Sequence, residues 1–363
     1  MHTQFLNDWI APRLQDPLLV ARAAAKAGQR VIGYVGADIP VELILAANAV
    51  PLRLRGKANA PTPRANEYLE SAFLPETRAI AEQWLTGELD FLDAVVFPRS
   101  NDSSQRLYYY LCELQRRKRC AGPTPLLYDL ATVARQSSID HTLGSTQQLA
   151  ASLGTSINEL PQAFKRTTDR GSLLARLQSL RNSAPTLSGS TAFRIARAAE
   201  LDWSMDFDGA LATWMEDPPL SLYTSRILLT GSAPPDEQLH LAVETANGVI
   251  VAERIETQSS HALNGSVAIA TLAHRHHEAV SPAQRMLRSV NWLAEQAHAV
   301  RAHGVIVWLI EEDEALPWEL AGQSRALHDA KIPLLTLTRQ RACAEASTLG
   351  AIGQFVGTLE HKR

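Results

Sequence analysis

The chain has 363 residues, of which 45% are hydrophobic and 20% are charged, and its formal net charge is -3 at pH 7. A chain of this length can bury two hydrophobic cores, and its composition is that of a globular protein. The weak negative charge gives no reason to expect nucleic acid or an anionic membrane surface as a partner. No stretch approaches the roughly eighteen uninterrupted apolar residues of a membrane span.

Two features of the sequence predict where the protein is located. The first residues have neither the basic start nor the apolar run of a signal peptide. The chain has three cysteines, an odd number that argues against a disulfide framework and fits a reducing compartment. We therefore expect the protein to be cytoplasmic.

The first part of the chain alternates between helix and strand patterns. Residues 17–29 are rich in alanine and predict a helix that ends at Gly28. An apolar run at 31–36 predicts a strand, after which Asp38 is expected to cap a helix that ends at Asn48 in the left-handed conformation. Further strands are predicted at 51–54, 91–98 and 124–130, with a helix at 103–117 between the last two.

The pattern changes to helices with no clear strand between 145 and 225 and then alternates again. Strands are predicted at 227–232, 249–252, 304–310 and 333–337, and helices at 235–246 and 318–330. Such alternation indicates parallel βαβ units with helices on both faces of a sheet. The predicted fold is therefore α/β, with two doubly wound, mainly parallel-sheet domains at 1–145 and 226–363 joined by a helical connector at 146–225.

One segment, residues 31–56, carries a resemblance to a known family. It reads Val-Ile-Gly-Tyr-Val-Gly-Ala-Asp-Ile-Pro-Val-Glu-Leu-Ile-Leu-Ala-Ala-Asn-Ala-Val-Pro-Leu-Arg-Leu-Arg-Gly. This resembles the opening signature of the 2-hydroxyacyl-CoA dehydratase and benzoyl-CoA reductase family, of the 2-hydroxyglutaryl-CoA dehydratase D-component type. Members typically read Gly-Tyr, an apolar residue and Cys, then Pro-x-Glu-Leu, Ala-Ala-Gly and Pro-x-Arg-Leu. Weaker similarities follow in the family's order, at 91–102, 226–232, 303–310 and 331–337.

The cysteines of the family pattern are missing from the corresponding segments. The resemblance aligns one cluster ligand with Gly36, places a second in the segment corresponding to 71–76, and places a third immediately before Asp102, at Asn101. None of these positions carries Cys here. Because [4Fe–4S] clusters are held mainly by Cys thiolates, the resemblance implies the family's fold without a cluster of the chain's own.

The three cysteines that the chain does have match no ligand position of the family. Cys112, Cys120 and Cys343 show no Cys-x-x-Cys spacing, so small buried or half-buried residues are a better interpretation than a relocated cluster. Whether they have a role stays open.

A second metal candidate is the run His274-Arg-His-His-Glu278, with His261 nearby. His274 and His277 are one helical turn apart and could share a face. No third ligand follows at a recognisable spacing, so a solvated helix surface is favoured and no metal site is predicted.

The substrate-binding candidates are Gly36, Arg53, Arg55, Asn101, Asp102 and Ser232. Arg53 and Arg55 lie two apart on one face of a strand and could pair with the phosphates of coenzyme A. A solvated strand edge would explain this pair equally well.

The remaining candidates also have two interpretations. Asn101 and Asp102 follow a strand, at the edge where open α/β sheets bind ligands, but they could simply cap the next helix. The turn at Ser232 could offer backbone amides to a phosphate, although it lacks a glycine-rich pattern. Gly36 could do no more than allow a tight turn. No catalytic residue is identified.

The family reaction removes water from a 2-hydroxyacyl-CoA by radical chemistry, or reduces an aromatic acyl-CoA. An ATP-dependent activator supplies the electron to the clusters of a two-subunit enzyme. The resemblance therefore implies a cluster-free subunit that is inactive alone and helps build an acyl-CoA site, with the [4Fe–4S] cluster in a cysteine-bearing homologous partner. The alternatives are a stand-alone acyl-CoA-binding protein or non-redox enzyme, and a structural homodimer.

Overall fold

The N-terminal half contains a four-stranded parallel sheet. The computed structural model describes residues 2–57, 59–131, 133, 135–254, 268–278 and 290–360. The strands are β1 (Arg30–Tyr34), β2 (Ala49–Arg53), β3 (Ala94–Pro98) and β4 (Thr124–Tyr128), in the order β2-β1-β3-β4. The helices of this half are α1 (His2–Phe5), a π-helical turn Leu6–Ile10, α2 (Ala11–Gln15), α3 (Leu19–Lys26), α4 (Val41–Ala46), α5 (Pro75–Leu85), α6 (Asp102–Arg116) and α7 (Gln136–Leu153).

The C-terminal half repeats this arrangement. Its strands are β7 (Ser225–Gly231), β8 (Gly248–Arg254), β9 (Gly304–Ile310) and β10 (Leu334–Gln340), all parallel and in the order β10-β9-β7-β8. The helices that the structure describes here are α11 (Gln238–Thr245), α12 (Ile269–Glu278), α13 (Trp292–Ala299), α14 (Leu320–Asp329) and α15 (Ala346–Glu360).

A mainly helical region lies between the two sheets. It consists of α8 (Leu160–Asn182), α9 (Gly189–Leu201) and α10 (Met205–Trp214), with two short antiparallel strands, β5 (Thr186–Leu187) and β6 (Leu220–Ser221). The prediction that this region has no strand is therefore wrong in detail. Helix α8 contacts both α4 and β8, and α9 contacts both β2 and β8, so the region packs against both sheets. The domain bounds at 145 and 225 stay a prediction.

Each sheet is buried on both faces, as expected for parallel strands covered by helices. Val31 and Val95 belong to one apolar cluster, and Ile32 and Val96 belong to the cluster on the opposite face. Neighbouring strand residues separate in this way because successive side chains point to opposite sides of a sheet. The prediction of an α/β fold with mainly parallel sheets is confirmed.

In each sheet, the second strand in chain order lies on one side of the first strand and the third lies on the other side, so the strand order reverses between the first and third strands. These positions are the gap between β1 and β3 and the gap between β7 and β9. Open α/β sheets bind ligands outside the carboxyl ends of the strands at such a switch point. The fold therefore defines one candidate binding position in each half.

Helix α12 belongs to the C-terminal half in sequence but packs on the N-terminal half. Leu272 is buried in the same cluster as Leu149 of α7, and the Arg275 guanidinium donates to Glu42 Oε1 at 2.7 Å. The ring of His277 is buried, with Nδ1 2.8 Å from the carbonyl oxygen of Ala131. The solvated-surface interpretation is therefore wrong for His277, while His261 lies outside the described residues.

Two local predictions are confirmed and two are wrong. Asn48 is left-handed, with φ of 53°, and Gly28 has φ of 79° at the end of α3. Asp38 does not cap α4, because Pro40 precedes the first helical residue and the Asp38 carboxylate accepts a hydrogen bond elsewhere. The sequence around Cys343, residues 340–345, predicts a helix, but Cys343 lies between β10 and α15. Among the helices of the described ranges, none is both long and apolar enough to cross a membrane.

Candidate functional site

A cleft of about 560 Å³ opens between the carboxyl ends of the two sheets. Residues that follow β1 and β3 form one wall, and residues that follow β7 and β9 form the other. Those nearest the strand ends are Asp38, Ser100, Asn101, Ser232, Glu312 and Asp313. Both switch points therefore open into the same cleft, which makes it the principal candidate site.

On the N-terminal wall, the three segments in which the resemblance places cluster cysteines come together. Asp38, Leu74 and Asn101 all line the cleft. The Ser100 hydroxyl donates to Asp38 Oδ2 at 2.5 Å, and the backbone N–H of Leu74 donates to Ser103 Oγ at 2.9 Å. These hydrogen bonds join the loop at Asp38 and the loop at Leu74 to the segment 100–103. Burial raises the pKa of Asp38, despite the opposing effects of the Ser100 hydrogen bond and the Arg53 charge.

The donor set of this wall does not fit an iron–sulfur cluster. Gly36, Asn101 and the whole of the segment 71–76 offer no thiolate, which is the main ligand of such clusters. Gly36 has φ of 73° and does not line the cleft, so the tight-turn interpretation accounts for it. Within the described part of the chain, no three His, Cys, Asp or Glu side chains are grouped as metal ligands.

The three thiols lie elsewhere and are half-buried, as predicted. Burial raises the pKa of Cys112, of Cys120 and of Cys343 above the usual value for a thiol. A raised pKa keeps a thiol protonated, and the thiolate is the form that binds metal. Their partial burial agrees with the prediction of half-buried residues, and whether they have a role stays open.

Arg53 and Arg55 both pair with a carboxylate of helix α9. Arg53 Nη1 donates to Glu200 Oε1 at 2.6 Å, while Arg55 Nε donates to Glu200 Oε2 at 2.6 Å. The Arg53 side chain is only 2% exposed and does not line the cleft, so the solvated-edge interpretation is wrong for this residue. Arg55 does line the cleft. Substrate binding by this pair stays a prediction, and for Arg53 the structure supplies a protein partner instead.

A third guanidinium, that of Arg197, completes the cluster around Glu200. Arg197 Nη1 is 3.6 Å from Glu200 Oε2, and Nη2 donates to the carbonyl oxygen of Pro234 at 2.7 Å. Burial, together with repulsion from Arg55, lowers the pKa of Arg197 to about 10. Burial alone would raise the pKa of Glu200, yet the three guanidinium groups hold it far below its usual range. Sequence reasoning missed Arg197 and Glu200, whose only signal is their spacing of three on a helix.

On the C-terminal wall, the turn after β7 does not present its amide to the cleft. The backbone N–H of Ser232 donates to the carbonyl oxygen of Trp308 at 2.8 Å. The Ser232 hydroxyl donates to Asp313 Oδ2 at 2.9 Å and accepts from the Ile310 N–H at 3.2 Å. The interpretation of Ser232 N–H as a phosphate ligand is therefore wrong, and its hydroxyl positions Asp313 instead.

Asn101 caps helix α6 and also lines the cleft. Its side-chain oxygen accepts from the Ser104 N–H at 2.9 Å, which confirms the cap interpretation, and the exposed Asp102 follows in the first turn. We expect Asn101→Ala to lower the free energy of unfolding by about 0.5–2 kcal/mol, because the amide of Ser104 loses its partner. Urea unfolding measures this loss. Asn101→Asp keeps the acceptor, and an equal loss in that variant would contradict the capping role.

The fold and the site together define a two-sheet, doubly wound α/β protein with a ligand cleft between the sheets. Residues 37–346 match the family model described as 2-hydroxyglutaryl-CoA dehydratase, D-component. The chain belongs to this family.

Other comparisons add nothing to the family assignment. No curated protein matches the chain. The chain is 13% identical to the solved structure described as the SsGBP and GDP complex, over 92% of this chain and 99% of that one, with a TM-score of 0.24. It is 12% identical to the SBP FpvC of Pseudomonas aeruginosa in complex with Ni²⁺, over 92% and 94% of the two chains, with a TM-score of 0.18. Similarities this low carry no argument about function.

Proposed function

We propose that the chain is a cluster-free subunit of a 2-hydroxyacyl-CoA dehydratase or benzoyl-CoA reductase-like complex. In that role it shapes an acyl-CoA site together with a cysteine-bearing homologue, which holds the [4Fe–4S] cluster. The observation that carries the proposal is the wall built from the loops at Asp38, Leu74 and Asn101. Hydrogen bonds join the loops at Asp38 and Leu74 to the segment 100–103, where the resemblance places thiolates, and these bonds support a wall that is built from the protein alone.

The chain's own residues supply positioning rather than redox chemistry. Asp38 is a half-buried carboxyl group with a raised pKa, held by Ser100 at the switch point of the first sheet. Asp313 is held by Ser232 at the switch point of the second sheet. Carboxyl groups on rigid strand ends can orient a polar substrate group, and a raised pKa suits proton transfer. The cleft is therefore equipped to hold a substrate while a partner carries out the electron transfer.

The proposal predicts that the homologue binds iron and that this chain does not. We expect the chain, produced alone without oxygen, to contain neither iron nor sulfide. Produced with a cysteine-bearing homologue of the same family, it should co-purify in a defined ratio, with iron present only in the complex. Iron and sulfide analysis combined with light scattering measures both outcomes. A stable monomer that binds neither the homologue nor any acyl-CoA would overturn the proposal.

The alternative is a stand-alone acyl-CoA-binding protein or non-redox enzyme. The observation in its favour is that both walls of the cleft come from a single chain. Calorimetry of the isolated chain with CoA thioesters separates the two proposals. Tight binding without a partner would favour the alternative, and self-association without any ligand binding would favour a structural homodimer. In each case we propose a cytoplasmic protein without nucleic acid or membrane partners.

A further inference from the structure

One of the residues that line the cleft contains a buried polar atom without a partner. Glu312 follows β9 on the C-terminal wall, and its Oε2 atom is buried with no hydrogen-bond partner among the residues that the structure describes. The neighbouring carboxylates differ, because Asp313 accepts from Ser232 and Asp38 accepts from Ser100. A buried acceptor without a donor is costly, so Glu312 favours a ligand that brings an N–H or O–H group to this position.

The C-terminal wall is acidic. Its lining includes the carboxylates of Glu312, Asp313 and Glu314 and, within the described ranges, no basic side chain. Arg339 and Arg341, at the end of β10, do not line the cleft, and each lies near an exposed glutamate outside it. Because like charges repel, the phosphates of coenzyme A are disfavoured at this wall. A bound acyl-CoA therefore presents an uncharged part to it.

Most of the other side chains of this wall are apolar. They include Pro234, Pro235, Ile310, Ala315 and Leu316. Among the uncharged parts of an acyl-CoA, the pantetheine arm combines methyl and methylene groups with amide N–H donors. The apolar groups of such an arm can pack against this wall while one amide N–H reaches the unpartnered carboxylate oxygen. The wall therefore matches the arm in both its apolar and its polar requirements.

We propose that the C-terminal wall holds the pantetheine arm of an acyl-CoA and that Glu312 accepts a hydrogen bond from one of its amide N–H groups. A hydrogen bond to a carboxylate is stronger than one between neutral groups, so this contact fixes the position of the arm along the wall. The inference rests on the acyl-CoA site of the proposed function and names the residue that recognises the ligand there.

Calorimetry of the full chain with acetyl-CoA tests the role of Glu312. We expect Glu312→Met to weaken binding about tenfold or more, because the amide N–H is then buried without an acceptor. Glu312→Gln keeps a side-chain oxygen and should retain most of the affinity. Glu311→Met changes an exposed neighbour outside the cleft and should leave binding unchanged. Wild-type affinity in a folded Glu312→Met protein would overturn the proposal, and so would no binding of acetyl-CoA to the chain, alone or with its homologue.

Ligand analogues identify the group that Glu312 contacts. Replacing an amide N–H of the pantetheine arm by an ester oxygen removes the donor and changes the shape little. In the wild type, one such analogue should bind about tenfold more weakly than acetyl-CoA, and in Glu312→Met the two ligands should bind equally. If only a 2-hydroxyacyl-CoA distinguishes the wild type from Glu312→Met, the contact is with the hydroxyl group of the acyl chain, and the assignment to the arm is wrong.

These outcomes are separate from those that test the proposed function. Co-purification and iron content test the complex, whereas the affinities test the cleft. If the complex forms but Glu312→Met binds acetyl-CoA as the wild type does, only the present inference fails. If no complex forms but the variants of the isolated chain behave as expected, the inference stands and the stand-alone acyl-CoA-binding protein is favoured.

Discussion

Replacing Glu200 with glutamine is expected to lower the free energy of unfolding by about 3–5 kcal/mol. The variant leaves three guanidinium groups close together without the carboxylate that they share, and their side chains are only 2%, 12% and 15% exposed. Removing one partner of a buried ion pair is costly because the remaining charge stays desolvated. The loss should appear in urea unfolding as a lower midpoint at an unchanged slope.

Glu76→Gln is the matched control for this prediction. Glu76 also lies near Arg55, but at 3.6 Å and on a more exposed side chain, so its removal should cost less than about 1 kcal/mol. Equal losses in the two variants would contradict the central role of Glu200.

The same cluster predicts a pH dependence. The guanidinium groups hold the pKa of Glu200 well below its usual value of 4.5 in the folded state. A depressed pKa gives stabilisation that is complete above the unfolded-state pKa and is lost as the pH falls through the folded-state value. The difference in stability between the wild type and Glu200→Gln should therefore shrink as the pH falls below about 4.5.

The charged residues of the opening segment serve the packing of the chain. Glu42 accepts hydrogen bonds from Thr167 of α8 and Arg275 of α12, and Arg53 pairs with Glu200 of α9. These contacts hold the helical region and α12 against the first sheet. The segment can therefore keep its fold with Gly36 at the position where the resemblance places a cluster ligand. In this chain the segment indicates a fold more directly than it indicates a reaction.

Elements that depend on local pattern could be predicted from the sequence. The apolar run at Gly304–Ile310 is a strand with the predicted bounds, because a buried parallel strand requires a continuous apolar stretch. The left-handed Asn48 follows in the same way from the tolerance of asparagine for that conformation. Both results use only residues adjacent in the chain.

Features that depend on distant residues could not be predicted. Arg53 and Glu200 are 147 positions apart, and nothing in either segment indicates the other. The histidine-rich sequence of α12 favours a solvated surface, and nothing in it indicates that Leu272 and His277 pack on the N-terminal half. The residue type and position of Asp38 predict a cap for α4, yet Pro40 is the residue that precedes the helix and the Asp38 carboxylate accepts a hydrogen bond from Ser100.

Gly231→Ala is expected to cost about 1–2 kcal/mol for the backbone conformation and about 1–3 kcal/mol more for overpacking. Gly231 ends β7 with φ of 109°, a conformation that residues with a side chain rarely adopt. A methyl group there would also lie well inside van der Waals contact of the Trp308 carbonyl oxygen. That oxygen accepts the hydrogen bond from Ser232, so the turn that positions Asp313 should be displaced as well.

Gly28→Ala is the control that separates the cost of the backbone conformation from the cost of overpacking. Gly28 also has a positive φ, of 79°, but a methyl group at this position would meet no atom within 4 Å. Its replacement should therefore cost only the conformational part, about 1–2 kcal/mol, and leave ligand binding in the cleft unchanged. Thermal or urea unfolding of both variants measures the difference. If Gly231→Ala is no less stable than Gly28→Ala, the end of β7 must move to make room for the methyl group. That result would contradict the prediction that the turn at Ser232 is rigid.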